Sequence, residues 1–535
     1  MPGERGSARL TRRQLLRGLG ASGLLLTAGC TANSAAASAG AGSGAGSGAG
    51  SGGPRRGGTI VLGQTADIEP KQLTGQTSIN AAIGRLVFNT LTEYDHVTLQ
   101  PRPSLATSWQ QSADGTTMTL RLRDDVTFHT GRPFTAQDVI FTLRQQAVPA
   151  NGSQLHATAA AISDMTATGP HELVLRLAHP VTNLFDLFEM AFIIDRETFP
   201  ELRDGARFVG TGPFVFEEWN PGDSVNLTRN PHYWKTGLPY FDAAQIRIIP
   251  QAQSLVDSMR AGQVQVVVNL TPTNLVEVRN DPAYTQIVTN TMDQSYYIGC
   301  NVKVEPFGDR LVRQAISYAI DRQAILREVF LGAGMATSTP WTKANAAYRA
   351  DLVDHYTYDP DRARSLLRQA GSTRLSGSLS INTSIPPTIP MAEIVQFNLS
   401  QVGIDITLNP MMQVDFSGLM QNGELPGLWV NQHGWTQVHP ASLATGAFPF
   451  NYAKNSSNFS SASYTAAAKQ AWTASSGSAA SAAYTQLTDI LLDEQFVVEG
   501  VITGTDLAMT SRLRGLTYNM YDYLILDSAW LEPAA

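Results

Sequence analysis

Residues 101–143, PRPSLATSWQQSADGTTMTLRLRDDVTFHTGRPFTAQDVIFTL, constrain this chain more than any other segment, because every local signal in them agrees. Ala113-Asp114-Gly115 is a turn, since Asp bonds its own backbone and Gly tolerates left-handed angles. Met118, Leu120 and Leu122 then alternate with Thr119, Arg121 and Arg123, the period of a strand with one buried face. Gly131-Arg132-Pro133 breaks the chain, and Thr135 with Asp138 three residues later forms a capping-box helix start. Phe134 and Val139 are placed as its hydrophobic staple. Nothing in the run is catalytic; it is scaffold.

At 535 residues the chain exceeds what one hydrophobic core usually serves, so two or three domains are expected. Residues 1–29 carry five basic side chains and one acidic, which leaves 33 basic and 44 acidic from Cys30 onward, a formal charge of −11. An acidic balance with no Lys/Arg-rich block argues against nucleic acid as a partner. Enzyme motifs are also missing. There is no G-x-S-x-G elbow, no Gly-Lys pair for a P-loop and no C-x-x-C, and His171-Glu172 lacks a second zincin histidine. No metal site and no cofactor are expected.

The amino-terminal segment has a basic start and a short apolar stretch, residues 19–28, too short to span a bilayer and read as an export signal. Residues 11–16, TRRQLL, resemble a twin-arginine export motif. Residues 26–30, LTAGC, resemble a lipobox whose cleavage leaves Cys30 as a lipid-modified terminus; Thr27 stands where leucine is usual. An ordinary cleaved Sec signal with an incidental cysteine is the alternative. Residues 32–53 are almost entirely Ala, Gly and Ser, a flexible tether suited to holding a folded body near a membrane. Cys300 has no partner for a disulfide and reads as a buried small hydrophobe.

The folded body starts near Gly57 with a short apolar strand at residues 59–63. Phe214-Val215-Phe216 and Val225-Asn226-Leu227 flank Asn220-Pro221-Gly222-Asp223, a hairpin. Beyond Asn301 helices and strands alternate. Asp309 caps a helix carrying Val312, Ile316 and Ile320 on one face, and Asp359 caps another with Pro360 first and Gly371 at its end. Residues 394–408 read as helix, turn and strand. Such alternation implies open sheets covered by helices, with ligands at strand ends or domain interfaces.

Four strings, in order, carry a resemblance to a known family: residues 103–139; residues 210–234, GTGPFVFEEWNPGDSVNLTRNPHYW; residues 307–322, FGDRLVRQAISYAIDR; and residues 358–371, YDPDRARSLLRQAG. They resemble the extracytoplasmic solute-binding proteins of ABC importers, in the peptide/nickel family (family 5), from Gly57 to the C-terminus. The resemblance implies an α/β fold of the type II periplasmic-binding-protein kind, two lobes with a hinge and an extra α+β domain inserted in the first lobe. The implied division is signal 1–30, tether 31–56, first lobe 57–83, 210–296 and 503–535, extra domain 84–209 and second lobe 297–502. Crossings between lobes are expected near residues 295–301 and 500–507. It further implies a monomer on the outer face of the cytoplasmic membrane, anchored through Cys30 and feeding an ABC permease. A hydrolase and a non-transport scaffold or signalling lipoprotein are the alternatives from other classes.

In that family the segment matching residues 429–440, WVNQHGWTQVHP, faces the cleft. Peptide-binding members carry there an aspartate for the ligand's amino terminus; here Gln437 or Val438 takes that place. Residues 382–388, NTSIPPT, match a loop where dipeptide-binding members carry an arginine for the ligand carboxylate, and hold none. What remains is Trp435 as an apolar wall, with Asn431, Gln432, Thr436 and Gln437 as neutral hydrogen-bonding groups. Such a lining suits longer peptides held by their backbone, a glycoside or another polar, weakly charged solute, because a desolvated charge needs an opposite charge or several donors. Trp435 could instead be a core residue. His433 and His439 read either as satisfied structural histidines or as ligands of a metal chelate. Gln64, Tyr296 and Tyr297 complete the candidate cleft, while Trp109, Phe128, Trp219 and Trp234 read as packing anchors.

Overall fold

The computed structural model describes residues 53–75, 80–95, 98–268, 270, 272–279, 281–288, 292, 294–436, 439–474, 477–504, 506–519, 521 and 523–533. The export segment, Cys30 and the tether up to residue 52 lie outside these, as do Gln437 and Val438. Two large mixed sheets organise the body. The first has seven strands, in the order Tyr284–Val288, Asp506–Thr510, Val266–Val268, Thr59–Gln64, Ala243–Ile248, Ser224–Arg229 and Phe214–Asn220. The second has six: Met335–Ala336, Val497–Thr503, Gln294–Cys300, Gly427–His433, Leu375–Asn382 and Ile404–Met411.

The chain passes between the sheets twice, from Tyr284–Val288 to Gln294–Cys300 and from Val497–Thr503 to Asp506–Thr510. Beside the first passage, residues 295–300 themselves lie in a strand of the second sheet. The reason is burial: Tyr296, Tyr297, Ile298 and Cys300 are all enclosed, and a continuous apolar run makes a central strand better than a linker. The second sheet accordingly begins at Gln294, a little before the expected boundary at residue 297.

Helix ends follow the side chains that close them. Asp309 accepts from the Leu311 N–H (2.8 Å) and Asp359 from the Arg362 N–H (2.8 Å), with Pro360 opening the latter helix. Gly371, at φ +78°, sits just past the end of Pro360–Gln369 in the left-handed region that favours glycine. Thr135 and Asp138 form the reciprocal capping box of Ala136–Gln146, and Phe134 and Val139 are fully buried.

Between the first two strands of sheet one, the chain builds a separate four-stranded antiparallel sheet, ordered Ala106–Gln111, Thr117–Leu122, Glu172–Leu177, Ile162–Gly169. Its junction with the first sheet is made by two of the strings singled out above. The His129 Nε2–H donates to the Gly212 carbonyl (3.1 Å), and its Nδ1 accepts from the Gly210 N–H (3.4 Å). Gly210 and Gly212 press so closely on Val87 that a Cβ at either would collide with its backbone. Thr211 and Trp234 both donate to Asn89 Oδ1 (3.0 Å each), closing the joint.

Burial pulls the His129 imidazole down to about 4 from its ordinary 6.5, so it is neutral in the fold. The unfolded chain takes up that proton below about pH 6.5 and the folded chain only near 4. Stability is therefore lost as pH falls through that window, by up to about 3 kcal/mol from this residue. Denaturant unfolding between pH 7 and 4 should show this slope, and His129→Asn should flatten it; equal slopes in both proteins would contradict the assignment.

Candidate functional site

Parallel pairing decides where a site can form. Thr59–Gln64 runs parallel to Ala243–Ile248 and Val266–Val268. Leu375–Asn382 likewise runs parallel to Ile404–Met411 and Gly427–His433. In sheet two, the end of Gly427–His433 meets the crossings, because His433 pairs with Ser295 and Gln294 with Thr503. In sheet one, Val266–Val268 ends there as well, with Val268 opposite Leu507 and Val288 opposite Asp506. Carboxyl ends of parallel strands from both sheets thus converge on the two crossings, the position where open α/β sheets receive ligands.

The pleat then sorts side chains. Tyr296, Ile298, Leu428, Val430, Leu379 and Ile381 belong to one apolar core, covered by helices. The opposite face of the same strands is polar: Ser295, Tyr297, Asn431, His433, Ser380 and Glu499, all buried. Alternation therefore separates the residues named from sequence. Asn431, His433 and Tyr297 share the polar face, while Gln432 and Tyr296 stand on the other, Tyr296 against the Phe330 ring at 4.7 Å.

His433 accepts at Nδ1 from the Trp435 N–H (3.3 Å), so its proton is on Nε2 and points at Glu499 Oε1 (3.2 Å). The Ser295 hydroxyl donates to the second Glu499 oxygen. A buried carboxylate needs a countercharge. The nearest positive charge acting on it is that of Arg322, the last residue of the string 307–322, whose Nε donates to the backbone carbonyls of Glu499 (2.7 Å) and Thr337 (3.1 Å), not to the carboxylate. Burial pulls the Arg322 guanidinium down to about 10, still cationic at neutral pH. Glu499 sits alone in the apolar run FVVEGVI, the one sequence signal that could have found it.

Around this network lie the remaining candidates. Trp435 is buried, its ring beside Gly446. The Thr436 hydroxyl donates to the Met292 carbonyl at the first crossing (2.7 Å), and its own carbonyl accepts from Asn345 (3.0 Å). Gln64, buried at its strand end, donates to the Ala66 carbonyl (2.6 Å). Tyr297 is fully enclosed and accepts from Trp429 Nε1 (3.5 Å), and burial drives its phenol well above 10. His439 caps Pro440–Gly446, accepting at Nδ1 from the Ala441 N–H (3.2 Å) and meeting the Tyr484 hydroxyl at Nε2 (2.8 Å). Burial holds its pKa below the ordinary histidine range. Gln437 and Cys30 lie outside the described residues.

Asn431 has an unusual environment. Its Nδ2 contacts the Met420 sulfur (3.2 Å), while its Oδ1, buried, has no partner among the described residues. Ser380 Oγ, on the neighbouring strand and the same face, is unpaired too. A lost hydrogen bond on a buried acceptor costs about 1–3 kcal/mol, which a water or a ligand group at either atom would offset. Among the described residues, no three His, Cys, Asp or Glu side chains are grouped to hold a metal ion, and no helix is long and apolar enough to cross a membrane.

Comparison with known proteins places this geometry. Residues 100–454 match the model of the bacterial extracellular solute-binding proteins, family 5. The chain is 27% identical over 388 residues to heme-binding protein A of Haemophilus influenzae, covering 66% of this chain and 70% of that one. It is also 27% identical over 381 residues to the oligopeptide-binding protein AppA of Bacillus subtilis, covering 66% and 69%. In fold it resembles the periplasmic binding protein DppA of Helicobacter pylori, solved with the peptide STSA, at a TM-score of 0.78 and 20% identity over 90% of this chain and 99% of that one. AgaA of A. tumefaciens R10, solved with agropinic acid, superposes at 0.80 and 20% identity over 89% and 99%.

Proposed function

Because the chain belongs to family 5 of the bacterial extracellular solute-binding proteins, we propose that it captures a peptide or similar polar, weakly charged solute between its two sheet-centred lobes and delivers it to an ABC permease. The unpaired Asn431 Oδ1 carries this reading. It is an uncharged acceptor, buried on the polar face at the convergence of the two sheets, and it suits the N–H of a peptide backbone. Ser380 offers a hydroxyl on the same face, and Trp435 is kept as the apolar wall. The charged groups nearby are already engaged, the Glu499 carboxylate by Ser295 and His433 and the Arg322 guanidinium by backbone carbonyls and Ser317, so neither is spare for the termini of a dipeptide. The two histidines are engaged internally, which favours a peptide over a metal chelate.

Two variants test the assignment against tetra-alanine and alanyl-alanine as probes. Tetra-alanine should raise the melting temperature in a concentration-dependent way, and alanyl-alanine should do so weakly. Asn431→Leu should weaken tetra-alanine binding roughly tenfold while leaving the ligand-free protein as stable or more so, since it removes an unpaired polar atom. Trp435→Ala should weaken it by about tenfold or more. Unchanged affinity in Asn431→Leu, measured by calorimetry, would show that the solute sits elsewhere.

The location proposed is the outer face of the cytoplasmic membrane, with Cys30 acylated and residues 31–56 as a tether. Cys30→Ala should move the protein from membrane to soluble exported fractions, and Arg12→Lys with Arg13→Lys should block export. Membrane association unchanged by Cys30→Ala would refute the anchor, and unchanged export of the double variant would leave the Sec route.

A further inference from the structure

The helix Leu184–Met190 belongs to the chain segment between the first two strands of sheet one, and Pro440–Gly446 to the segment between two strands of sheet two. The two are covalently linked only through the crossings, yet they are stitched together. Asp186 Oδ2 accepts from the Ser442 hydroxyl (2.5 Å) and from the His439 N–H (3.1 Å). Asn183 donates to Ser442 Oγ (2.7 Å) and accepts from the Trp472 indole N–H (3.0 Å). Thr182 donates through its backbone N–H to the Trp472 carbonyl (3.1 Å). Asp186 and Asn183 are almost fully buried, 1% exposed each. A carboxylate is costly to bury, and the hydrogen bonds that offset this cost come in part from the other lobe.

We infer that Asp186 is a positioning residue of solute capture: the inserted domain clasps the second lobe through it, and the clasp exists only when the lobes are closed. This rests on the two-lobe capture proposed above and adds to it the part that holds the closed state. The clasp ends on His439, four residues beyond Trp435, so engaging it also fixes the segment that carries the wall. Asp186 does not touch the polar face around Asn431; it acts through His439 and Ser442. Its other oxygen accepts from the Tyr94 hydroxyl (2.8 Å), which holds the carboxylate in place from its own side.

The test reads the closed population of the full chain with no solute added. Spin labels go on exposed Thr166→Cys, in the inserted domain, and Gln369→Cys, in the second lobe, with Cys30→Ser; Cys300 is buried, and its thiol, pushed up to about 12, stays unlabelled. Pulsed dipolar distances should resolve a short, closed population beside a longer, open one in the parent. Removing charge-assisted hydrogen bonds should cut the closed-to-open ratio by roughly ten- to a hundredfold in Asp186→Ala, and by about tenfold in Ser442→Ala, which removes one donor and leaves the carboxylate. With tetra-alanine present, the Asp186 variant should lose affinity through faster dissociation and unchanged association, a split that general destabilisation would not give. Identical distance distributions in parent, Asp186→Ala and Ser442→Ala would overturn the clasp, and so would a parent with no closed population. Failure of the solute assignment instead would appear as a normal clasp with no response to tetra-alanine.

Discussion

The buried bonding of the Glu499 carboxylate to His433 and Ser295, with Arg322 held on the Glu499 backbone carbonyl, is the interaction on which the rest of the arrangement depends. It joins three adjacent strands of the second sheet where the chain leaves for the first sheet, and it does so with a carboxylate that water does not reach. Taking one of these hydrogen-bond donors away would leave a buried acceptor short of a partner, a loss of about 1–3 kcal/mol. The crossings therefore start from a fixed base.

A second constraint operates at the other joint. The inserted domain is held on the first sheet by close backbone approach at Gly210 and Gly212, by the neutral His129 and by Asn89. These groups are short and leave little room for rearrangement, so inserted domain and first sheet act as one body. The same body then reaches the second lobe through Asp186 and Asn183. A scaffold of this kind can hold a rim far from the hinge without the hinge itself becoming stiff.

Much of this was legible in the sequence, for local reasons. Turn glycines, the Thr135/Asp138 box, the Asp309 and Asp359 caps and the hairpin at residues 220–223 depend on neighbours a few positions away, and each is found in the structure. The strings shared with the family marked scaffold joints, such as Phe128-His129 against Gly210-Thr211-Gly212, and the Arg322 that closes the hinge network. What could not be read were contacts across hundreds of residues. Asp186 looks like one acid in an amphipathic stretch until His439 and Ser442 arrive beside it. Likewise, Asn431 and Gln432 are adjacent in sequence and equivalent in chemistry; only the pleat puts them on opposite faces. Tyr296-Tyr297-Ile298 likewise signals burial but not which sheet it is buried in.

Small-angle X-ray scattering of the full chain, with tetra-alanine titrated in, tests the central claim most directly. Two bodies closing about a fixed hinge on a solute at the strand ends should show a solute-dependent fall in radius of gyration that saturates with the binding isotherm, with a scattering profile that moves between two states only. A profile that stays the same while calorimetry reports binding would contradict capture by closure, and place the solute on a surface that does not move.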